Sequence, residues 1–546
     1  MIRTRGAAIA IALTAGALLL AAFAKNWSVV RDLSAPGIDI QYREMAAAQT
    51  VLDEGYGPDA SYAHEHVWYN PMAAWLAAAM TRVTATSLPV VIARSGPFVN
   101  LAAPAALFLL VATTVDALAA TAALAAFVFL VGTWLPFYYA ATYSPWFSPE
   151  NFGQAFLYLL LALVYRAWRP GAALGWAAAA GAALGVTFLV HTAPAITGGL
   201  VIVAYALVEA RSGEGVDRPA LRVALALAVA FLVSLPFSFE ILWHYHLKIV
   251  NPFPSNSPSD LLDLNELPGL ARRLATLPSL VAVAALVVRA RAGVDRGTRL
   301  LFVWLGVIAA ALAAHMAAIV LAKAHVELPA IVPPFHFFFY LMTILAIAFG
   351  IGVRDAVVRV ASARWRPVLV CAMTLAAVAA GVRSYLTRED FTGVRQEATA
   401  MGARYAPDLI GWIRAHTSPH DVFLCADDAS MYLVTPAGRK VVAINRYFSN
   451  PYVDWTTRDA DRARMFHALE RSDVAGFAAI ARSYDVRFVV LSLDRTTEWL
   501  RAAGLRPSDL PAIDEATLAG LPGFAPALVS ERFAILRFDG DALASR

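Results

Sequence analysis

The most chemically distinctive residues of the chain lie in a polar segment that contains GIDIQYREM and, further on, SYAHEHVWYNP. Asp39 and Glu65 carry carboxylates that could accept a proton during a reaction. His64, Glu65 and His66 form a His-Glu-His triplet, whose i, i+2 spacing suits a strand or loop, whereas paired zinc-binding histidines on a helix stand at i and i+4. The segment therefore offers two candidate general bases and a weak metal-binding pattern.

These residues also have simpler structural interpretations. Asp39 comes just before a predicted helix, where an aspartate commonly accepts a backbone N–H as the N-cap. Arg43 would lie one turn later on the same face, so it could contact an anionic ligand or pair with Asp39. Asn70 precedes Pro71 and could bind a ligand hydroxyl or cap the next helix. Both interpretations stay open at each position.

Further candidates stand near the ends of apolar segments. Glu150, in SPEN, could bind a metal or steer a ligand, or could simply be a first-turn acid favoured by the helix dipole. Lys248, in WHYHLK, could contact an anion or anchor the chain at a membrane interface. Lys323, His325 and His336 cluster late in the chain and could form a second half-site.

The composition places these residues in a membrane protein. The chain has 546 residues, of which 59% are hydrophobic and 15% charged, with a mean hydropathy of +0.59. These values exclude a single water-soluble domain, a disordered chain and a protein that coats nucleic acid. Residues 390–546 contain 38 of the 84 charged residues, so the chain divides into an apolar part, 1–389, and a tail of ordinary soluble composition, 390–546.

Apolar runs long enough to cross a bilayer predict about eleven transmembrane helices. They lie near 6–24, 89–112, 116–134, 152–167, 172–190, 194–210, 221–242, 274–289, 299–322, 336–353 and 367–385. The first run could be a signal peptide, although we favour an uncleaved helix. With the N-terminus in the cytoplasm, the inner segments collect 15 basic and six acidic residues, which satisfies the positive-inside rule. The same assignment places the C-terminal tail outside.

The long outer loop 25–88 contains two amphipathic helix patterns. The first covers about 40–54 and ends at Gly55, with Asp53 and Glu54 expected to be solvated, and the second begins at Pro71. We expect both helices to lie on the outer membrane surface. The fold prediction is therefore a polytopic α-helical membrane protein with a C-terminal soluble α/β domain.

The order of these elements resembles the GT-C superfamily of membrane glycosyltransferases, which take a sugar from a polyprenyl-phosphate carrier. In that family one span precedes a large outer loop. An acidic residue opens the loop, and surface helices and an aromatic-Pro element follow it. Here the acidic residue is Asp39, with Tyr42 three positions later, and the aromatic-Pro element is Tyr69-Asn70-Pro71. TYSPWFSPENFGQ is similar to the family's second outer loop, and LPAIVPPFHFFFYLMTIL to its late Pro-rich loop, with His336 where an Arg often stands. The tail, with YDVRFVVLSLD and SERFAILRF, is similar to the α/β tail of many bacterial members.

The resemblance implies an inverting transfer to a cell-envelope acceptor, a glycan, lipid or protein, at the outer face of the membrane. The Arg-over-Lys and Ala-rich composition indicates that this is a bacterial inner membrane. The resemblance also implies Asp39 as general base with Glu65 as runner-up. The residues expected to contact substrate are Arg43, Tyr42, His64, His66, Asn70, Glu150, Lys248, Lys323, His325 and His336. A divalent metal, Mg²⁺ or Mn²⁺, would be held by Asp39 and Glu150.

Two other classes of function compete with this prediction. A non-catalytic relative could act as a lipid-linked glycan flippase or an envelope-assembly scaffold, although a flippase should carry polar residues along its spans. A secondary transporter should show two similar halves, which the sequence lacks. The chain contains no Gly-x-Gly-x-x-Gly or Walker sequence, so nucleotide binding has no support and no nucleic-acid partner is expected.

Overall fold

The structure, a computed structural model, describes residues 5–131, 142–212, 216–250, 272, 275–326, 335–493 and 511–540. The chain forms two compact units. The helical unit comprises Met1–Asp32, Arg94–Pro236 and Ser255–Arg395. The mixed unit comprises Leu33–Ala93, Phe237–Pro254 and Gln396–Arg546, so the segment after the first helix belongs to the same unit as the tail.

Apolar helices make up the helical unit. They are α1 (Arg5–Val30), α5 (Gly96–Val99), α6 (Ala102–Thr114), α7 (Ala117–Ala125), α8 (Pro149–Ala167), α9 (Leu174–Val190), α10 (Thr192–Arg211), α11 (Pro219–Phe239), α12 (Leu277–Ala292), α13 (Arg296–Lys323), α14 (Phe335–Val360) and α15 (Arg366–Leu386). One of them, α11, has its last residues in the mixed unit. A π-helical turn, Ala126–Leu130, extends α7, and a second one, Glu240–His244, extends α11. A 3₁₀ turn, Glu389–Phe391, follows α15.

Helices occur at all eleven predicted apolar runs, but fewer of them are long and apolar enough to cross a membrane. Among the described residues seven helices qualify, or eight if one bent pair counts as a span: Arg5–Val30, Gly96–Thr114, Thr192–Arg211, Pro219–His244, Arg296–Ala318, His336–Val360 and Arg366–Leu386, with the pair Met72–Thr84 and Leu88–Arg94 bent by 115°. The prediction of a polytopic membrane protein is confirmed, and the described residues contain fewer qualifying helices than the eleven predicted. The runs at 116–134, 172–190 and 274–289 fold as shorter helices of 9, 17 and 16 residues, the first extended by its π turn. The run at 152–167 lies in the 19-residue helix α8, which is not among the seven.

Small residues let these helices approach closely. A side chain at Gly350 of α14 would collide with the carbonyl of Ala119, which lies 2.4 Å from where the Cβ atom would be. Gly181 of α9 has the same relation to Ala226 of α11, at 2.3 Å. Tight backbone contact of this kind is typical of helices that pack within a bilayer, where there is no hydrophobic drive between them.

The mixed unit contains a five-stranded sheet and the helices around it. The strands are β1 (Val422–Leu424), β2 (Lys440–Val441), β3 (Val486–Ser492), β4 (Phe524–Val529) and β5 (Phe533–Phe538), in the order β2-β1-β3-β5-β4. Strands β1, β2 and β3 are parallel, and β5 runs antiparallel to β3 and β4. The predicted YDVRFVVLSLD strand is β3, and SERFAILRF supplies β5, so the prediction of an α/β tail is confirmed.

The remaining helices of the mixed unit are α2 (Asp39–Asp53), α3 (Met72–Thr84), α4 (Leu88–Arg94), α16 (Gly393–Arg404), α17 (Pro407–His416), α18 (Asp427–Ala429), α19 (Trp455–Glu470), α20 (Val474–Ala481) and α21 (Glu515–Ala519), with a π turn at Ser430–Val434 and 3₁₀ turns at Thr435–Ala437, Arg446–Phe448 and Arg482–Tyr484. Apolar residues from these helices and from the strands form the core of the sheet, among them Met465, Phe477, Val489 and Leu536.

Helices α2 and α3 agree with the two amphipathic helices predicted from the sequence to within one or two residues at each predicted end. Gly55, with φ of +85°, follows the last turn of α2, and this left-handed conformation is one that glycine adopts at helix ends without steric cost. Pro71 precedes the first residue of α3. The location of these helices on a membrane surface stays a prediction.

Residues 54–71, called here the α2–α3 loop, are bonded to the tail. Val441 of β2 donates its backbone N–H to Ser61, and Asn450 donates its amide to Asp59. Lys440 donates to the Glu54 carboxylate at 2.8 Å, and these two side chains are only 3% and 6% exposed. The expectation that Glu54 is solvated is therefore wrong, because a buried lysine that lies far away in the sequence takes up its charge.

Candidate functional site

Asp39 is the first residue of α2 and is exposed. The N-cap is Ile38, and it makes no side-chain cap bond, so the interpretation of Asp39 as the N-cap is wrong by one residue. Tyr432 donates its hydroxyl to Asp39 Oδ1 at 2.9 Å. The Tyr432 ring packs edge-on against the buried ring of Tyr42, with centroids 5.0 Å apart. Two tyrosines thus orient an accessible carboxylate.

Arg43 lies one turn further along α2. Its guanidinium donates to Glu44 through Nε and Nη2, at 3.0 and 2.7 Å, and Nη2 also donates to the Tyr69 hydroxyl at 2.9 Å. The guanidinium carbon lies 3.9 Å from the centre of the Tyr69 ring. Glu44 is almost fully buried and balances the charge of Arg43, so the Arg43–Glu44 pair mainly fixes the direction of the guanidinium.

A groove opens beside these residues. Its lining comes from α2, the α2–α3 loop and the tail, and includes Arg43, Glu44, Thr50, Gly55, Tyr56, Trp68, Tyr69, Asn70, Met431, Thr435 and Phe448. Asn70 is buried at 4% exposure. Aromatic rings with a few polar groups are the usual lining of a ligand site. The groove thus brings together Arg43 and Asn70, two of the predicted contacts, with Phe448 of the tail.

The His-Glu-His triplet does not act as one ligand set. His64 pairs with Asp485 at 3.1 Å, and His66 pairs with Glu240 at 3.2 Å. Glu65 accepts a hydrogen bond from Tyr245 at 3.3 Å and lies 3.6 Å from the Arg458 guanidinium. The three side chains therefore point to three different partners, as expected of an irregular loop.

Glu65 has an electrostatic environment that differs from that of a solvated acid. Partial burial raises the pKa of its carboxyl above the ordinary value, although the neighbouring Arg458 works in the opposite direction. A carboxyl whose pKa is raised towards neutrality is a stronger base. Burial also raises the pKa of Tyr245 well above its usual range, with the nearby Asp59 and Glu65 adding to the effect, so this phenol stays protonated and able to donate.

Within the described part of the chain two groups of three residues have the spacing of metal ligands. One consists of Glu150, His191 and His336 in the helical unit, and the other of His66, Glu240 and His244 in the mixed unit. Asp39 belongs to neither group, so the predicted pairing of Asp39 with Glu150 at one metal stays a prediction. Two imidazoles in each group favour zinc over Mg²⁺, which prefers oxygen ligands.

The Glu150 group lies where three helices begin. Glu150 is in the first turn of α8, where Ser148 donates to it at 2.5 Å. His191 caps α10 by accepting the Ala193 N–H, and His336 lies in the first turn of α14. His191 Nε2 is 3.7 Å from Glu150, and the two imidazole centroids are 4.8 Å apart. Each of the three side chains thus lies at the beginning of a different helix.

The other predicted cationic contacts are placed as follows. Lys248 is exposed in the mixed unit, two residues beyond His246. His325 is exposed in the helical unit at a positive φ of 62°. Lys323 ends α13, and its side chain lies outside the described residues. The structure therefore does not test the predicted half-site around Lys323.

Sequence reasoning missed Tyr432 and Glu44. It noticed His191, Glu240 and His244 near the ends of apolar runs but did not select them as site residues. Glu240 and His244 carried a signal, because their i, i+4 spacing in FEILWHYHLK is one that places two ligands on one helical face. Tyr432 carried none, since it lies 393 residues beyond the carboxylate that it contacts.

The fold was compared with known proteins. No family model and no curated protein matches the sequence. The crystal structure of ArnT from Cupriavidus metallidurans in the apo state superposes with a TM-score of 0.57 at 14% identity, over 96% of this chain and 98% of that one. ArnT bound to undecaprenyl phosphate gives 0.55 at 14%, over 95% and 97%. The oligosaccharyltransferase AglB from Archaeoglobus fulgidus, in complex with an inhibitory peptide and a dolichol-phosphate, gives 0.52 at 12%, over 93% and 72%.

The chain has a GT-C-like fold. The resemblance stated from the sequence is confirmed at the level of architecture, over nearly the full length of the chain. The GT-C-like fold also accounts for the mixture of multiple apolar helices with a C-terminal α/β region in one protein. At 12 to 14% identity the likeness concerns the fold alone.

Proposed function

We propose that this protein is a membrane glycosyltransferase that moves a sugar from a polyprenyl-phosphate carrier to a cell-envelope acceptor, with inversion at the anomeric carbon. The observation that carries the proposal is the exposed Asp39 carboxylate, which opens the first helix after α1 and is oriented by Tyr432. The GT-C-like fold supports it, since ArnT in the same fold binds undecaprenyl phosphate.

The reaction needs a base and a stabilised leaving group. In the proposed step an acceptor hydroxyl attacks the anomeric carbon, the new C–O bond forms as the bond to the phosphate oxygen breaks, and Asp39 takes up the hydroxyl proton. The electron pair leaves with the polyprenyl phosphate, whose negative charge requires nearby positive charge. Glu65, with its raised pKa, is the runner-up as base.

Arg43 is a proposed hydrogen-bond donor to the polyprenyl phosphate, and the Glu150 group is a separate proposed metal site in the helical unit. Arg43 lies at the groove, held in one direction by Glu44 and Tyr69. The group of Glu150, His191 and His336 in the helical unit would hold a divalent metal, whose positive charge when bound would favour an anionic ligand. Tyr42, Asn70 and the aromatic residues of the groove would then bind sugar or acceptor.

The cell location is part of the proposal. The part of the chain that the structure describes contains seven helices long and apolar enough to span a membrane, so this is a multi-pass membrane protein. We infer a bacterial inner membrane, with the N-terminus in the cytoplasm and the tail on the opposite side, from the excess of arginine in the predicted inner segments. A glycan, a lipid or a protein would be the acceptor.

The proposal is tested by reconstituting the full chain in proteoliposomes with radiolabelled undecaprenyl-phosphate-linked hexoses and pentoses and a bacterial envelope extract as acceptor. We expect label to leave one of these donors and to appear in the extract, with the anomeric configuration inverted by NMR. Donors that stay intact throughout would contradict the proposal and favour the flippase or scaffold alternative. Retained configuration would contradict the inverting mechanism.

A further inference from the structure

A second group of polar residues lies at the end of α11, and the proposed reaction does not use it. Glu240 and His244 belong to the π-helical turn that extends α11, and His66 comes from the α2–α3 loop. His66 Nδ1 and His244 Nε2 each lie 3.2 Å from Glu240 Oε2. The two imidazole rings are stacked with centroids 3.4 Å apart and planes 10° from parallel.

The two nitrogen–oxygen distances match those between neighbouring ligand atoms of one zinc ion. Ligand atoms at 2.0–2.1 Å from a tetrahedral zinc ion are about 3.3 Å apart, close to the two measured distances of 3.2 Å. Two imidazole nitrogens and one carboxylate oxygen are a common zinc ligand set, and such sites keep a fourth position for water. Nitrogen ligands make Mg²⁺ and Ca²⁺ poor candidates.

The contacts to Glu240 are not hydrogen bonds. Among the described residues Glu240 Oε2 is buried and has no hydrogen-bond partner, although two imidazole nitrogens lie close to it. A buried carboxylate oxygen without a donor is costly, because it has lost its water. A cation bound by the three atoms would remove this cost, and the two rings would turn out of their parallel stack so that both nitrogen lone pairs point at it.

The surrounding residues hold the three ligands in place. Tyr245, adjacent to His244, donates its hydroxyl to the His66 carbonyl at 2.7 Å and accepts the His66 N–H at 2.8 Å. A backbone bridge between Pro58 and His66 fixes the loop from the other side. The His66 and His244 side chains are 41% and 30% exposed, which leaves an approach from solvent. Such supporting contacts are typical of real metal sites.

We propose that His66, Glu240 and His244 bind one zinc ion, with water as the fourth ligand, and that this ion fastens the α2–α3 loop to the end of α11. The site is distinct from the Glu150 group and does not depend on the proposed glycosyl transfer. Its role is to hold the loop that forms one side of the groove.

The test is zinc binding by the full chain, purified without a histidine tag, stripped with chelator and reloaded with ZnCl₂. We expect metal analysis to find one more tightly bound zinc ion per chain in the wild type than in Glu240→Gln. We also expect the zinc affinity to fall at least about tenfold in Glu240→Gln, His66→Ala and His244→Ala. His246→Ala is the matched control, because His246 is two residues from His244, is exposed and contacts the Leu242 carbonyl of its own segment. Zinc should raise the Tm of the wild type but not that of Glu240→Gln.

Equal zinc content and affinity in the wild type and all three variants would overturn the proposal, as would a wild type that binds no zinc. Glu240→Gln preserves the shape of the side chain, so it guards against loss of binding by misfolding. Substitution of the wild type with Co²⁺ provides a readout that needs no variant. The intense visible bands of a tetrahedral cobalt site are expected, and a purely octahedral spectrum would contradict the assigned geometry.

Discussion

At the scale of single residues the account depends on the environment of one carboxylate. Asp39 is exposed at the start of α2 and accepts a hydrogen bond from a tyrosine of the tail, 2.9 Å away. The acid itself was predictable, because it opens the polar loop after an apolar run. The tyrosine was not, because contacts between distant parts of a chain leave no trace in local spacing.

Removal of the Tyr432 hydroxyl should weaken the proposed base. A hydrogen bond to a charged group contributes about 1.5–3 kcal/mol, so Tyr432→Phe should lose its orienting contact and lower kcat by roughly tenfold with little change in KM. The measurement is steady-state transfer in proteoliposomes. Tyr405→Phe, a tail tyrosine that is half-buried, is the matched control. A Tyr432→Phe variant with wild-type kcat would show that the contact does not position Asp39 for reaction.

At the scale of elements, the α2–α3 loop is the part that the sequence described least well. Helices α2 and α3 follow from apolar periodicity, Gly55 and Pro71, all of which are local signals. The loop between them is held by bonds to β2 and to the residues near Asn450, which no local pattern predicts. The His-Glu-His triplet was misleading for the same reason, since each side chain follows a separate distant partner.

The buried pair Lys440–Glu54 should be critical for attaching this loop. Loss of one member of a buried ion pair typically costs 3–5 kcal/mol, because the other charge stays buried without compensation. We therefore expect Lys440→Met to lower the Tm of the purified protein by roughly 10 °C. Arg487→Met is the matched control, since Arg487 pairs with Asp421 but is 70% exposed. Equal, small shifts in both variants would contradict a structural role for the buried pair.

At the scale of the whole molecule, composition was the most informative property of the sequence. The excess of charge in the tail predicted where the apolar helices end and the α/β region begins, and the strands β3 and β5 lie where the sequence placed them. Among the described residues fewer helices qualify as spans than the eleven predicted, because some apolar runs fold as short helices, such as Leu277–Ala292 with 16 residues.

The predicted orientation can be tested with introduced cysteines. Both native cysteines, Cys371 and Cys425, are buried, so they should label slowly. We expect Ser483→Cys in the tail to react with a membrane-impermeant maleimide in intact spheroplasts, and Ser362→Cys, between α14 and α15, to react only after permeabilisation. Both side chains are exposed. The reverse pattern would place the tail in the cytoplasm and contradict transfer at the outer face.

The central claim is that Asp39 accepts a proton during glycosyl transfer, and the most direct measurement compares initial transfer rates of Asp39→Asn and the wild type in proteoliposomes. Loss of a general base typically lowers the rate by about 10²–10⁴-fold, and we expect Asp39→Asn to fall in this range with its fold intact. Asp32→Asn, an exposed acid seven positions earlier, should keep the wild-type rate. An Asp39→Asn protein that transfers sugar as fast as the wild type would contradict the account.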